Sequence, residues 1–233
     1  MPEQPWFPKR WPPVRPDVIQ LYSLPTPNGQ KVSICLEEMG LAYDAHRIDI
    51  MADDQFDPDY LKLSPNGKIP TILDPNGPDG NPIKLCESIV ILTYLADKTG
   101  MLLPKDYAAR MDHMQWLVFQ AAHIGPFFGQ FGHFFKFARD KTTDDYGAIR
   151  YTNETKRLLK VLDDRLAGRE YIMDDFSIVD LSMVPWVNCL DGFYEGGEVL
   201  GFNSFKNVVA WRDRVTARPA YQKGKDVCSA PQD

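Results

Sequence analysis

The sequence of 233 residues has few cysteines and no excess of positive charge. Its four cysteines, Cys35, Cys86, Cys189 and Cys228, form no C-x-x-C pair, and no histidine stands at metal-ligand spacing from them. A disulfide scaffold is therefore not expected, and buried free thiols are the simpler interpretation. The net charge of −6 argues against a nucleic-acid-binding surface, which would show as clustered lysines and arginines.

Long apolar runs are also missing. No stretch approaches the roughly 18 apolar residues that a membrane span needs, and the N-terminus lacks the apolar core of a secretory signal. We therefore expect a cytoplasmic protein without membrane association. Residues 1–17 are rich in proline and are predicted to form an extended arm. Its tryptophans, Trp6 and Trp11, would hold the arm against a folded surface, with disorder as the alternative.

The chain that follows alternates strand-like and helix-like segments. Val18 to Leu24 is an apolar, β-favouring run that ends at a Pro-Thr-Pro-Asn-Gly turn. Apolar residues at i, i+3, i+4 and i+7 from Val32 then mark one face of a helix, which Gly40 ends. Tyr43 to Ile50 is a second strand-like run. Strand, helix and strand within about thirty residues predict a parallel βαβ unit.

Two short strands and a closing helix complete this first domain. A helical turn is expected over Pro58 to Leu63, and strands over Thr71 to Leu73 and Ile83 to Cys86. The residues between these strands are dense in Pro, Gly, Asn and Asp, which predicts an antiparallel hairpin. A helix follows from Glu87. The order β-α-β-α-β-β-α is that of a thioredoxin-like domain, here residues 18–101.

From residue 107 the strand signal vanishes, and residues 107–227 are predicted to form an all-helical domain followed by a tail, 228–233. Ser177 and Asp180 have the spacing of a capping box at a helix start. A first helix is expected to end near Gly125-Pro126. The further helical segments are Phe127 to Phe137, Tyr146 to Ala167, Ile178 to Leu190 and Phe205 to Arg218.

Four motifs, in order and spacing, resemble those of glutathione transferases, and most closely the bacterial Nu-class, disulfide-bond-reductase-type members. The similarity spans Val18 to Val227 and implies an α/β thioredoxin-like N-terminal domain followed by an all-α C-terminal domain. The motifs are Thr26-Pro-Asn-Gly29, Asn66-Gly-Lys-Ile-Pro70, Glu87-Ser88 and Ser177-Ile-Val-Asp180.

Thr26 and Asn28 stand where the first strand turns into the first helix. The positive end of a helix lowers the pKa of a thiol and favours its nucleophilic form. The resemblance implies that these two residues stabilise the glutathione sulfur, whereas the simpler reading is a helix cap with Pro27 at the first position. Tyr22 is an alternative hydroxyl donor, although its place in the strand suits the core. No Cys stands at this turn, so disulfide chemistry would use the thiols of bound glutathione.

The resemblance implies further glutathione contacts. Ile69-Pro70 resembles the family's cis-proline, where the backbone of Ile69 pairs with the cysteinyl part; an edge-strand proline is the alternative. Lys68 would balance the glycine carboxylate, unless it is merely solvated. Glu87 and Ser88 would hold the γ-glutamyl ammonium and carboxylate, although they would also suit a helix start as capping residues.

Gln55 and Arg150 match residues that contact glutathione in the Nu-type members, and a surface salt bridge is the alternative for Arg150. The aromatic stretch from Phe127 to Phe137 would face a cleft that holds an electrophile or a second glutathione, although most of its rings suit the core or a dimer contact. His123 is bulkier than the residue expected there, which alters the predicted electrophile site.

The leading hypothesis is glutathione-dependent reduction of small disulfides, with organic hydroperoxides as further substrates. Glutathione is the co-substrate and no metal is required. Two alternatives stay open: a general transferase that conjugates glutathione to electrophiles, and a non-catalytic binding or regulatory protein of the same fold. The family and the aromatic helical domain predict a homodimer.

Overall fold

The computed structural model describes residues 6–141 and 143–230. The described chain forms two compact units: residues up to Met101 together with those from Pro219 onward make the first, and Leu102–Arg218 makes the second. The first unit contains a four-stranded sheet and its helices. Its elements are β1 Ile19–Ser23, α1 Pro27–Glu38, β2 Tyr43–Arg47, α2 Pro58–Leu61, β3 Thr71–Asp74, β4 Ile83–Cys86 and α3 Ser88–Thr99, with single 3-10 turns at Ile50–Ala52, Asp54–Phe56 and Pro78–Gly80.

The strands lie in the order β2-β1-β3-β4. β1 is parallel to β2 and antiparallel to β3, and β3 and β4 form the antiparallel hairpin. Leu21 of β1 lies opposite Ile72 of β3, and both side chains are fully buried. The predicted βαβ unit, the hairpin and the thioredoxin-like order are therefore confirmed, with boundaries shifted by a few residues.

The described part of the N-terminal arm lies against the sheet through Trp11, one of the two tryptophans expected to hold it, whereas Trp6 is exposed. Phe7 and Trp11 pack against the hydrophobic cluster that includes Tyr60, and the Trp11 and Tyr60 rings meet edge to face at 6.3 Å. Farther along, the Arg15 side chain donates to Asp44 at 2.8 Å. The first five residues of the arm lie outside the described residues.

The second unit is helical. Its helices are α4 Tyr107–Phe119, α5 Gly125–Gly132, α6 Tyr146–Leu166, α7 Ile178–Asp191, α8 Gly197–Leu200 and α9 Lys206–Thr216, and α10 Pro219–Gly224 follows beyond the division. α7 is buried along nearly its whole length, and α6, which packs against α5 and α9, carries a stripe of buried leucines. The capping box at α7 is present: Ser177 N donates to the Asp180 carboxylate at 3.0 Å.

The expected end of a helix near Gly125-Pro126 is wrong. Two π-helical turns, Gln120–Ile124 and His133–Phe137, flank α5, so the helical backbone continues from α4 without leaving the right-handed region. Pro126 directly follows the first π turn, in which Gly125 N donates to Gln120 O five residues back. Proline at such a position is compatible with a helix that continues through a π turn.

The end of the chain returns to the first unit. α10 packs against α1, where the Ser33 hydroxyl donates to Gly224 O at 2.8 Å and Gln30 Nε2 donates to Lys225 O at 3.0 Å. A side chain at Gly224 would meet the backbone of Ile34, its Cβ 2.7 Å from the Cα there. Residues 219–227 thus group with the first unit and not with the helical domain to which the sequence assigned them. A short helix carries no local signal that tells which unit it packs on.

Candidate active site

The turn between β1 and α1 is fixed by its own backbone. Thr26 is the N-cap of α1, and its hydroxyl oxygen accepts from Gly29 N at 3.3 Å. A Cβ at Gly29 would lie 1.9 Å from Leu24 O, so only glycine fits. Because Thr26 Oγ1 accepts this bond, its own hydrogen is directed elsewhere and is able to donate. The capping role and a role toward a ligand are therefore compatible.

A pocket of about 230 Å³ opens beside this turn in the first unit. It holds six of the nine predicted site residues, together with Asn66, which sequence reasoning named only as part of a motif, and Ser64, which it did not name. The six predicted residues that line it are Asn28, Lys68, Ile69, Pro70, Glu87 and Ser88.

One wall of the pocket is the loop before β3. The carbonyl of Lys68 accepts from the Tyr60 hydroxyl at 2.9 Å and from the Ser64 hydroxyl at 2.8 Å, while Lys68 N donates to Ser64 Oγ at 3.1 Å. The Ile69-Pro70 peptide bond is cis, as predicted. Within the described residues, the backbone N–H and C=O of Ile69 make no hydrogen bond, so both are available to an extended ligand.

The opposite wall is the start of α3. Glu87 is its N-cap and lies in the left-handed region with φ 68°, a conformation that costs energy for a residue with a side chain and that is common at ligand sites. The Glu87 side chain is exposed and Ser88 is buried. A carboxylate and a hydroxyl of a helix start therefore border the same pocket.

Gln55 does not line this pocket. It lies in the 3-10 turn Asp54–Phe56, which packs against Gly67 of the pocket loop: a Cβ at Gly67 would lie 3.3 Å from Gln55 O. The Gln55 side chain is buried, and its Oε1 has no hydrogen-bond donor among the described residues. Its contact with glutathione stays a prediction.

Arg150 lies on α6 in the helical unit, where it borders a cavity of about 520 Å³. Phe127 and Tyr146 supply the aromatic part of the lining, and Glu154 and Arg157, which are paired at 2.7 Å, supply charges. Its predicted role in holding glutathione likewise stays a prediction.

The aromatic stretch divides between the core of the helical unit and its surface. Phe128 and Phe131 are fully buried, as the core interpretation predicted, whereas Phe137 is exposed. His123 is exposed and stacks between the rings of Phe119 and Phe127 at 5.4 and 6.4 Å. The second site that this stretch was expected to border stays a prediction.

Tyr22 is not a hydroxyl donor to the pocket. Its side chain is fully buried in the sheet and stacks on His46 at 4.6 Å between ring centres. Burial raises the pKa of Tyr22 well above its usual range, with the Asp44 carboxylate acting in the same direction. The core interpretation of Tyr22 is confirmed.

The four cysteines are free thiols. Burial raises the pKa of Cys189 to about 11 and that of Cys228 to about 12, and it moves the pKa of Cys35 higher still. Because the thiolate is the nucleophile, these three thiols are unreactive near neutral pH. Cys86 precedes Glu87 on β4 but does not line the pocket.

One buried charge near the pocket was missed by sequence reasoning. Lys31 of α1 is only 2% exposed, and its Nζ donates to Ser88 Oγ at 3.2 Å. Burial lowers the pKa of Lys31 to about 7, although the Glu87 carboxylate acts in the opposite direction. In the sequence Lys31 stands next to the apolar face that starts at Val32, and a lysine at such a position is expected to be exposed to solvent.

Comparison with known proteins identifies the two units. The family models of the glutathione S-transferase N-terminal domain and C-terminal domain match residues 26–98 and 126–219. The disulfide-bond oxidoreductase YghU of Escherichia coli K12 is 42% identical in an alignment of 225 positions, which covers 92% of this chain and 76% of that protein.

Two solved structures are similar to nearly the whole chain. A glutathione transferase family member from Pseudomonas fluorescens with two glutathione bound is 51% identical, with a TM-score of 0.92 over 94% of this chain and 97% of the other. A glutathione transferase from Pseudomonas putida with one glutathione disulfide bound per subunit is 49% identical, with a TM-score of 0.92 over 96% of each chain.

Proposed function

Because the chain belongs to the glutathione S-transferase family, we propose that it is an enzyme that reduces small disulfides with glutathione. The observation that carries the proposal is the pocket between the starts of α1 and α3, which combines an amide, a lysine, a carboxylate and a hydroxyl with the open backbone of Ile69. Glutathione is an extended peptide with one ammonium and two carboxylates, and these groups complement that set. The similarity to YghU favours disulfide reduction over other glutathione chemistry.

In this proposal glutathione lies across the pocket from α1 to α3. Asn28 and the Thr26 hydroxyl donate to the sulfur at the positive end of α1, and the backbone of Ile69 beside Pro70 pairs with the cysteinyl residue. At the two ends of the ligand, Lys68 faces the glycine carboxylate, and Glu87 and Ser88 hold the γ-glutamyl ammonium and carboxylate. Gln55 and Arg150 complete the proposed glutathione contacts.

The reaction needs no thiol from the protein. The thiolate of bound glutathione attacks one sulfur of the substrate; its S–S bond breaks, a mixed disulfide forms and the first thiolate leaves and takes up a proton. A second glutathione thiolate attacks the glutathione sulfur of the mixed disulfide. Oxidised glutathione forms and the second thiol of the substrate leaves. Two glutathione molecules are oxidised for each disulfide that is reduced to two thiols.

The test is steady-state turnover of the purified protein with glutathione and 2-hydroxyethyl disulfide, in parallel with 1-chloro-2,4-dinitrobenzene as a conjugation substrate. Thr26→Ala and Asn28→Ala should each lower kcat/KM for the disulfide by about tenfold or more, because each removes a donor to an anionic sulfur. Asn203→Ala, at an exposed turn of the helical unit, is the matched control.

Each result of this test has a definite meaning. Efficient conjugation with little disulfide reduction would replace the proposal with the general transferase. Failure of the wild-type protein to bind glutathione would favour a non-catalytic binding protein. Activity toward organic hydroperoxides, measured in the same preparation, would extend the proposal, since it uses the same thiolate.

We further propose that the protein is a Nu-class enzyme and works as a homodimer in the cytoplasm. Tyr107, Met111 and Val118 of α4 are exposed, and their spacing places them on one face of the helix, which supports a contact between two copies. Sedimentation velocity should give a mass twice the 26.6 kDa of one chain. Within the described residues, no helix is long and apolar enough to cross a membrane.

A further inference from the structure

A lysine buried in a small α/β unit needs a physical reason. Lys31 belongs to the second turn of α1 and is among the largest fully buried side chains of the described chain. Lysines are almost never fully buried unless they are paired, because removing an ammonium from water is costly. An apolar residue of similar length would fill the same space without that cost.

The contact of Lys31 with Ser88 has a directional consequence. An ammonium nitrogen only donates, so Ser88 Oγ accepts at 3.2 Å and its own hydrogen points away from Lys31. Within the described residues, the Ser88 hydroxyl donates to no protein acceptor. Ser88 lines the pocket, so this hydrogen is available to an acceptor there.

The charge of Lys31 acts on the same place. Burial lowers the pKa of this ammonium to about 7, and the carboxylate of Glu87 at the pocket edge opposes the shift. A second negative charge placed against Ser88 would favour the protonated lysine further, since opposite charges stabilise each other strongly away from water. Lys31 is thus placed to respond to an anion that contacts Ser88.

We propose that Lys31 is a positioning residue for the carboxylate of the ligand's γ-glutamyl group. It orients the Ser88 hydroxyl toward the pocket and supplies a positive charge behind it, where the ligand cannot displace it. This inference rests on the proposed function, because it takes glutathione as the ligand and Ser88 as its carboxylate contact. Lys31 itself touches no part of the ligand.

The test compares two ligands by titration calorimetry: glutathione, and γ-aminobutyryl-cysteinyl-glycine, which is glutathione without the α-carboxylate. Lys31→Met should weaken glutathione binding by about tenfold or more, as expected for a lost charge-assisted interaction, and leave the analogue within about twofold. Lys31→Gln, which keeps a hydrogen-bond donor and loses the charge, should have an affinity for glutathione between those of the wild type and Lys31→Met. The exposed Lys223→Met on α10 should change neither ligand.

Turnover gives an independent readout. Lys31→Met should raise KM for glutathione and leave kcat at saturating glutathione within about twofold, because the sulfur end of the pocket is unchanged. Ser88→Ala should likewise weaken the binding of glutathione more than the binding of the analogue. If Lys31→Met does not fold, Lys31→Gln and Ser88→Ala still decide the question.

Two results would overturn the role of Lys31 while the wild type binds glutathione. One is unchanged glutathione affinity in Lys31→Met and Lys31→Gln. The other is an equal loss for both ligands together with a lower melting temperature, which would make Lys31 a structural residue. Failure of the wild type itself to bind glutathione would overturn the proposed function, and with it this inference.

Discussion

Asp180 should be one of the most costly residues to replace in the helical unit. Its carboxylate is fully buried at the first turn of α7 and accepts from Ile172 N at 3.0 Å, Ser177 N at 3.0 Å and Trp211 Nε1 at 2.8 Å. It thereby joins the segment before α7, the start of α7 and α9. We expect Asp180→Ala to leave these three donors without an acceptor in an interior that excludes water.

The magnitude follows from those three donors. A buried donor left without its acceptor costs about 1 to 3 kcal/mol, which gives about 3 to 9 kcal/mol for three donors. Because the variant also no longer buries a carboxylate, Asp180→Ala should lower the free energy of unfolding by about 3 to 5 kcal/mol, in the lower part of that range. Asp180→Asn keeps the shape and one acceptor oxygen, and its loss should be roughly half as large. Asp174→Asn, whose side chain is 94% exposed in its pair with Arg169, is the matched control and should cost no more than about 0.5 kcal/mol.

Urea unfolding followed by circular dichroism and by tryptophan fluorescence measures these differences. The two probes must coincide, because a chain of two units need not unfold in one step. Hydrogen exchange at the Ile172 and Ser177 amides adds a local readout, since both amides lose their acceptor in Asp180→Ala and should exchange faster there. A loss below about 1 kcal/mol for Asp180→Ala would refute the reasoning, because it would mean that water or another group replaces the carboxylate at little cost.

Two further predictions concern titratable groups. Since the folded pKa of Lys31 is about 7 and its ordinary value is 10.5, the unfolded chain binds more protons between these values, and folding gains stability as the pH rises through them. Lys31→Met buries no ammonium and lacks this pH dependence. Its melting temperature should therefore exceed that of the wild type most near about pH 6 and by less toward about pH 9.5. A difference in melting temperature that grows with pH would contradict the assignment. Replacing Cys35, Cys189 and Cys228 singly by Ser should leave disulfide reduction within about twofold, because none of these thiols is ionised near neutral pH; loss of turnover in one variant would show that a protein thiol takes part.

The sequence was sufficient to predict those lining residues of the pocket that lie on local motifs. Asn28, Asn66 and Ser88 stand in turns or at helix starts, where the residue types that form the turn also face the pocket. The cis bond before Pro70 belongs to the same class of feature. Such features depend on a few neighbouring residues, so a single sequence can reveal them.

The features that sequence reasoning missed depend on contacts between distant segments. Lys31 is buried because α1 packs against α3, and no pattern within α1 distinguishes it from a solvated lysine. The helix that continues past Pro126 depends on a π turn, which has no reliable sequence signature. The return of α10 to α1 depends on how closely the backbones approach at Gly224.

These contacts give α1 a part in both ends of the proposed site. Asn28 and Lys31 are three residues apart, so they lie on neighbouring positions of one helical face. Asn28 lines the pocket directly, and Lys31 reaches it through Ser88 at the start of α3. Both helices begin at this pocket, so their positive ends favour an anionic sulfur at one end and a carboxylate at the other. A change that shifts α1 against α3 should therefore weaken glutathione binding and thiolate stabilisation together, whereas Lys31→Met should weaken binding alone.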